Sequence, residues 1–475
     1  MILLCMAWTG GKLAMKKSKF ITTIFVLLLI TTLTINVSAE EMTLNKAIQY
    51  LIQNSSQLEN AKRDIESAQI DLQVAQKGLA PEVNLQTSYT RLGEAPEAPS
   101  EYVFRETGVT NFQGFTVPKY QLIPVSFEEQ SQDNYSATLT INKPLYLGGQ
   151  VKNSVKLSEK GVQISNLKYE QTLNDNLNAV IQSYFNVLIK ESLLEVQENS
   201  LKLVKNHLDN VQKNYEAGLV IKSDVNEVQI ELNKTRQSIL TAENDLRIAK
   251  KRLADLLEID NTDFTLKQPT IPDLEEKLQT QLDKAYANRF EIQSLDINQE
   301  MKDINKKLED NLYKPSFFLR GNYNFQGSDL DLSDGSFSVT VSGQVSLYDG
   351  NKSELKQEKV DLDKANLDNN KKQLKKNIET EIMAALYKID ENRQSLEIAK
   401  QNEQQAKENY NQAVKRYENG VGTSLDVLRA ETNLSQIQIS KNQTHYQYIM
   451  SIFNLLHKTG TLNNYFEDVI QSESK

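Results

Sequence analysis

The sequence predicts a mixed α and membrane-β chain, internally duplicated, with four membrane-spanning strands and two long coiled-coil helical hairpins. Three observations carry this prediction. A segment recurs at a constant offset, four strands each present a charge-free alternate face, and two proline-free helical stretches hold heptad spacing.

The duplication is plain in four anchors. Leu145-Tyr146-Leu147-Gly148 recurs as Leu347-Tyr348-Asp349-Gly350, and Tyr215-Glu216-Ala217-Gly218 as Tyr417-Glu418-Asn419-Gly420, both 202 positions later. Asp224-Val225 and Asp426-Val427 keep that register. Upstream, Gln57-Leu58 and Pro81 match Glu291-Ile292 and Pro315 at an offset of 234, so the first copy carries 32 extra residues. Solenoid repeats are only roughly 20 to 50 residues long, so the chain divides instead into two pseudo-equivalent halves. The expected plan is a first repeat over 40–260, a linker over 261–281, a second repeat over 282–460 and a tail over 461–475.

Residues 1–39 read as an upstream extension and a cleaved secretory leader. Met15 opens the better start, with Lys16, Lys17 and Lys19 before an apolar run over 20–35 and small residues at Val37-Ser38-Ala39. Cleavage is expected near Ala39. The only cysteine, Cys5, and the only tryptophan, Trp8, would leave with it, so disulfides, thiol catalysis and an amino-terminal lipid anchor are not expected in the mature chain.

Nothing after residue 40 is apolar for long enough to make a membrane-spanning helix, so membrane insertion must come from strands. The net charge of -9, with Lys and Glu interspersed along the helices, argues against a nucleic-acid partner.

In each half a shorter helix comes first, over 44–77 and 282–311. Two alternating strands follow. One face carries Val83, Leu85, Thr87 and Tyr89; Tyr135, Ala137, Leu139 and Ile141; Phe317, Leu319, Gly321, Tyr323 and Phe325; and Phe337 through Val345 and Leu347. The other carries Asn84, Gln86, Ser88, Thr138, Thr140, Asn322, Asn324, Ser338 and Thr340. A half-buried soluble sheet gives the same alternation. A charge on the lipid face costs roughly 2 to 4 kcal/mol, however, so a clean face in all four strands favours the bilayer.

Four strands cannot close a barrel and open edges are not tolerated in lipid, which predicts a homotrimer sharing a 12-stranded β-barrel. The first strand pair is joined by residues 91–130, read as a long external loop, and the second by a short polar turn. Asp329, Asp331 and Asp334 in that turn are out of phase for a calcium loop. No metal or other cofactor is expected.

The long helices are expected over 151–215 and 351–417, each on the order of 100 Å at 1.5 Å per residue. Leu201, Val204, Leu208, Val211 and Tyr215 face a returning arm of Val225, Val228, Leu232, Thr235, Ile239, Ala242, Leu246, Ala249 and Leu253 at seam spacing. Each hairpin turns at a glycine-marked tip, 218–223 and 420–424. Gly218 and Gly420 supply the helix C-caps, while Leu219, Val220, Ile221 and Val421 place apolar side chains at the end of a polar rod, as a docking surface would.

Together, the doubled order of helix, strand, strand and hairpin, the Leu-Tyr-x-Gly turn and the Tyr-Glu-x-Gly tips followed by Asp-Val resemble the TolC-type outer membrane factor family over nearly the whole mature chain. The resemblance implies an outer-membrane exit duct of a tripartite efflux pump or type I secretion system. It further implies a periplasmic α-barrel built from the hairpins, and partners in a periplasmic adaptor (membrane fusion) protein and an inner-membrane pump. The adaptor-contacting residues would be Gly218, Leu219, Val220, Gly420, Val421 and Gly422. Asp426 falls where the family places acidic residues in the periplasmic aperture, and a three-fold ring of carboxylates there would disfavour anions.

The pattern departs at Arg429, where some members carry an acid, and Asn233 occupies the corresponding part of the first hairpin. An Asp426 to Arg429 pair between subunits is one way to hold the aperture closed. Asp426 reads equally as a helix N-terminal charge, and Asp224 reads first as one.

The three histidines, His207, His445 and His457, stand singly in helices and read as surface residues, and no catalytic constellation accompanies them, so the chain is not expected to be an enzyme. The rival reading is a secreted or periplasmic coiled-coil structural protein or adhesin without channel activity. It leaves the duplicated charge-free strands and the matched tips unexplained.

Overall fold

A computed structural model describes residues 40–94, 100–126, 131–272, 274–329, 331 and 335–473. The leader region lies outside the described residues. The chain runs β1 (Glu40–Met42), α1 (Leu44–Asn54), α2 (Ser56–Gln76), β2 (Glu82–Arg91), β3 (Ser100–Phe112), β4 (Phe115–Ser126), β5 (Asp133–Leu147), α3 (Gln150–Glu216) and α4 (Lys222–Leu256). It continues with β6 (Phe264–Leu266), α5 (Leu278–Asn288), α6 (Phe290–Asp310), β7 (Ser316–Gly327), β8 (Ser336–Gln344), α7 (Lys352–Glu418), α8 (Ser424–Lys458), α9 (Leu462–Tyr465) and α10 (Glu467–Glu473).

In the paired helices the duplication is kept to the residue. Both ends of α3 and α7, and both ends of α4 and α8, lie 202 positions apart, while α1 and α5, and α2 and α6, lie 234 apart. None of these helices is long and apolar enough to cross a membrane.

Four expectations need correction. The helices foreseen over 44–77 and 282–311 are each broken in two, at Ser55 and at Arg289, both in extended backbone. Heptad periodicity survives such a break, so the pattern gave no warning. Ser55 restarts its helix by accepting a bond from the Leu58 N–H at 3.4 Å.

The fourth strand of the sheet, foreseen as running to Leu347, ends at Gln344. The segment read as one external loop contains a two-stranded ribbon, β3 against β4, turning at Gln113-Gly114 with both residues at positive φ. Its alternating Val, Phe and Tyr residues and two-residue turn are a hairpin signal that Pro and Glu content obscured. The fourth correction concerns His207 and belongs to the hairpin seam.

The main sheet has the order β2-β5-β7-β8 and is antiparallel throughout. Its register unites the apolar residues into rows, Leu85–Leu139–Tyr323–Phe337 and Val83–Ile141–Gly321–Val339. The polar residues form Asn84–Thr140–Asn322–Ser338 and Gln86–Thr138–Asn324–Ser336 on the opposite face.

Below the sheet, the core gathers Tyr184, Phe185, Leu253, Leu257 and Phe453 around the parallel pair β1–β6. The Tyr184 hydroxyl donates to the carbonyls of Met42 at 2.9 Å and Lys267 at 2.5 Å, which fixes that pair.

Candidate functional site

The sheet forms the first part of the site. Its apolar face is exposed along the edge strands, with Phe337 83%, Val339 69% and Leu85 68% accessible, while on the central strands Leu139 and Tyr323 are half-buried and Phe325 is buried. Charges enter that face only at its ends. Arg91 is paired with Asp133 at 3.7 Å at one end, and Lys143 faces Leu319 at the other. From Asp133 to Lys143 is ten residue steps along β5. That is about 34 Å of strand, or about 26 Å of height at a tilt near 40°, close to the apolar band of an outer-membrane barrel. The outer edges of β2 and β8 are unpaired among the described residues.

The hairpin tips form the second part. At the first, Gly218 (φ +72°) donates to the Tyr215 carbonyl at 2.9 Å and Leu219 N–H reaches Asn214 at 2.8 Å. At the second, Gly420 (φ +74°) donates to Tyr417 at 3.0 Å and Val421 N–H to Arg416 at 2.9 Å. Both are left-handed caps that a Cβ would strain.

Leu219 and Val421 project into solvent at 74% and 69% exposure. Val220 instead packs on a cluster containing Val204, Val211, Val228, Tyr417 and Val427. Gly422 lies so close to the preceding helix that a Cβ would sit 3.1 Å from the Tyr417 nitrogen.

Asp426 is held by the start of α8. Its carboxylate accepts from the Thr423 N–H at 3.0 Å and the Thr423 hydroxyl at 2.7 Å, and Thr423 Oγ1 accepts from Asp426 N–H at 3.2 Å. The Thr423 hydrogen bonds, assisted by Arg416 and Arg429, hold this carboxyl below the usual carboxylate range.

Asp224 makes only a 3.4 Å contact with Ile221 N–H, since Ile221 offers no side-chain oxygen. Arg429 is exposed and lines a groove between α4 and α8 together with Ile230, Glu231, Lys234 and Leu425. Asn233 accepts from Gln229 and Arg236 of its own helix at 3.5 Å. No hydrogen bond or ion pair joins Asp426, Arg429, Asp224 and Asn233 to one another among the described residues.

The third part escaped the sequence reading. His207 is not on the surface: it is 6% exposed, its Nε2 lies 2.9 Å from the Ser424 hydroxyl, and it meets the Tyr417 ring edge-on. Burial pushes its pKa down. One step along the seam, the Ser200 hydroxyl donates to the Glu431 carboxylate; in the other direction, Asn214 donates to the Tyr417 hydroxyl at 3.2 Å.

Ser200, His207 and Asn214 stand seven residues apart on α3, and Ser424 and Glu431 seven apart on α8. That second, polar heptad stripe was the available signal. The apolar stripe masks it, because that stripe accounts for the α3–α4 pairing alone, whereas α3 also packs on α8. His445 and His457 are more exposed and bond to Gln268 and Asp175, each at 2.8 Å.

At the other end of the hairpins each broken helix is held differently. The Glu258 carboxylate accepts from Ser56 N–H and Oγ, both at 2.7 Å, with Glu258 itself at φ +52°. Arg289 instead bridges Glu291 at 2.7 Å and Glu381 at 2.8 Å.

Comparison with known proteins agrees with this layout. The pattern of the outer membrane efflux protein family matches residues 47–257 and 281–461. Outer membrane protein TolC of Vibrio cholerae is 21% identical over 349 residues, covering 70% of this chain and 78% of that protein. The Campylobacter jejuni CmeC outer membrane channel superposes with a TM-score of 0.69 at 18% identity, covering 91% of this chain and 89% of that one. The outer membrane protein VceC of Vibrio cholerae does so at 0.66 and 17% identity, over 88% and 96%. Since the family pattern spans both halves, the chain belongs to the outer membrane efflux protein family.

Proposed function

We propose that the chain is one protomer of a homotrimeric exit duct. Three four-stranded sheets close a 12-stranded barrel in the outer membrane, and the hairpins form a periplasmic α-barrel that passively conducts cargo delivered by an inner-membrane pump through a periplasmic adaptor. The observation that carries this reading is the open sheet: an apolar face bounded by charges at membrane height, with two unpaired edges that lipid forbids. Joining β8 of one protomer to β2 of the next removes every edge.

In this reading Gly218, Leu219, Val220, Gly420, Val421 and Gly422 meet the adaptor, because the tips carry exposed apolar side chains on rigid caps. Asp426 and Arg429, with Asp224 and Asn233 on the neighbouring arm, line the periplasmic aperture. The carboxylate of Asp426 serves the helix cap as well, so its ring of charge is held in place by Thr423.

The test is the mass of the detergent-extracted protein by light scattering, with conductance after reconstitution into a planar bilayer. A conducting trimer is expected. A water-soluble, non-conducting rod would overturn the duct and favour a coiled-coil scaffold.

A further inference from the structure

Glu431 is a carboxyl group 4% exposed, in the middle of the seam where the second hairpin lies on the first. Among the described residues, its carboxyl hydrogen-bonds to the Ser200 hydroxyl of α3. No cation forms an ion pair with it among the described residues. The surrounding seam is apolar, with Val204, Val211, Val228, Leu232, Val427 and Leu428 buried together.

A carboxylate in such a place, without a cation, carries the full cost of desolvation, whereas a protonated carboxyl carries little and can donate to the serine oxygen. The closed seam therefore favours the neutral form of Glu431 relative to water, and any separation of α8 from α3 readmits water and favours ionisation. We propose that Glu431 is a positioning residue for the duct, a proton-controlled latch that holds the second hairpin against the first when neutral and lets it swing away when ionised.

The groups facing Glu431 fit that role. From α4 comes Glu231, whose carboxylate is 3.2 Å from Lys234 on its own helix, so it adds negative charge that is already partnered. From α7 comes Tyr410, and from α3 come Ser200 and, one heptad nearer the tip, His207. On α8 itself, Asp426 is committed to Thr423 and Arg429 is exposed.

Burial is the largest influence on Glu431, Glu231 adds to it, and both push its pKa upward; the Ser200 bond opposes them. A group raised in the closed state stabilises closure at low pH, and that contribution is lost as pH rises through the closed-state value. His207 works with the opposite sign, because its lowered pKa makes closure prefer the neutral ring and disfavours closure only in acid. The two contributions separate in a variant that keeps one of them.

The proposal rests on the duct reading, and its test is arranged so that the two fail separately. Glu431→Gln keeps the shape and the serine contact but cannot ionise. In planar bilayers, the open fraction of the wild-type trimer should rise with pH above the ordinary glutamate range by up to about tenfold per unit for one linked proton. Glu431→Gln should remain closed and flat over the same range. A wild-type channel with no pH dependence there, or a Glu431→Gln channel that follows the wild-type profile, overturns the latch.

Amide hydrogen exchange over residues 424–436, corrected for intrinsic rate, supplies an arm that needs no conduction. Protection should fall with pH in the wild type and stay constant in Glu431→Gln, and equal behaviour of the two overturns the latch. Absence of conductance at every pH would instead count against the duct, leaving the exchange arm to decide on Glu431.

Discussion

The two halves of the chain share the boundaries of their four paired helices residue for residue, yet hold the same geometry with different chemistry. At the joint where the short helix breaks, the first half uses a strained glutamate, Glu258, to bind the N-terminus of α2. In the second half the equivalent of Glu258 is Gly460, at φ +68°, and the joint is held by Arg289 between two carboxylates. At the tips, Thr423 makes a reciprocal cap with Asp426, while its equivalent Ile221 makes none. Backbone geometry is thus what the duplication preserves in the helices, and the polar fastening is free to change.

The largest effect expected on this comparison is at the apolar tips. Leu219→Asp and Val421→Asp, made separately, should each abolish pump-dependent export while trimers remain in the membrane, as read by export assay and envelope fractionation. Loss from only one of them would make the tips unequal in docking, and normal export from both would remove the docking role.

The joints should differ more in stability. The Arg289 side chain is 12% exposed, and removing it leaves Glu291 without its ion-pair partner and Glu381 with only Lys458 at 3.6 Å, so Arg289→Ala should cost about 2 kcal/mol. Glu258→Gly loses the Ser56 bonds but releases backbone strain, so its melting temperature should move far less. Equal losses by thermal denaturation would refute the idea that the second joint relies on buried charge.

At the caps the expected changes are smaller and opposite in sign. Thr423→Ala should destabilise the start of α8 by about 1 kcal/mol, and Ile221→Thr should stabilise the start of α4 by a comparable amount. Hydrogen exchange at the two tips measures both, and equal protection in the parent protein would break the comparison. The fastening of Asp426 also has a pH signature. Its lowered pKa means that the cap is fully present above the ordinary aspartate value and is lost as pH falls through the folded value, so α8 should fray first in acid. The subtlest readout is Asp426→Ala in planar bilayers, where altered conductance or cation block is expected, and unchanged values in both would take Asp426 out of the aperture.

Much of this was legible in advance because it depends on periodicities that act locally. Alternation by two set the charge-free face, spacing by seven set the α3–α4 seam, and the repeated Tyr-Glu-x-Gly placed both tips. The breaks at Ser55 and Arg289 were hidden because one residue in extended backbone barely disturbs the apolar spacing on either side of it. The ribbon over 100–126 was hidden by composition.

By itself the sequence determined the duplication, the type of each main element, the polarity of each strand face and the position of the turns, since each is encoded within a few residues of where it appears. The tertiary structure alone decided that strand two pairs with strand three and that His207 and Glu431 are buried. These facts concern which surface lies opposite a residue. A helix with two stripes can pair through either or both, and only the packing of α8 on α3 turns the polar stripe into a buried seam.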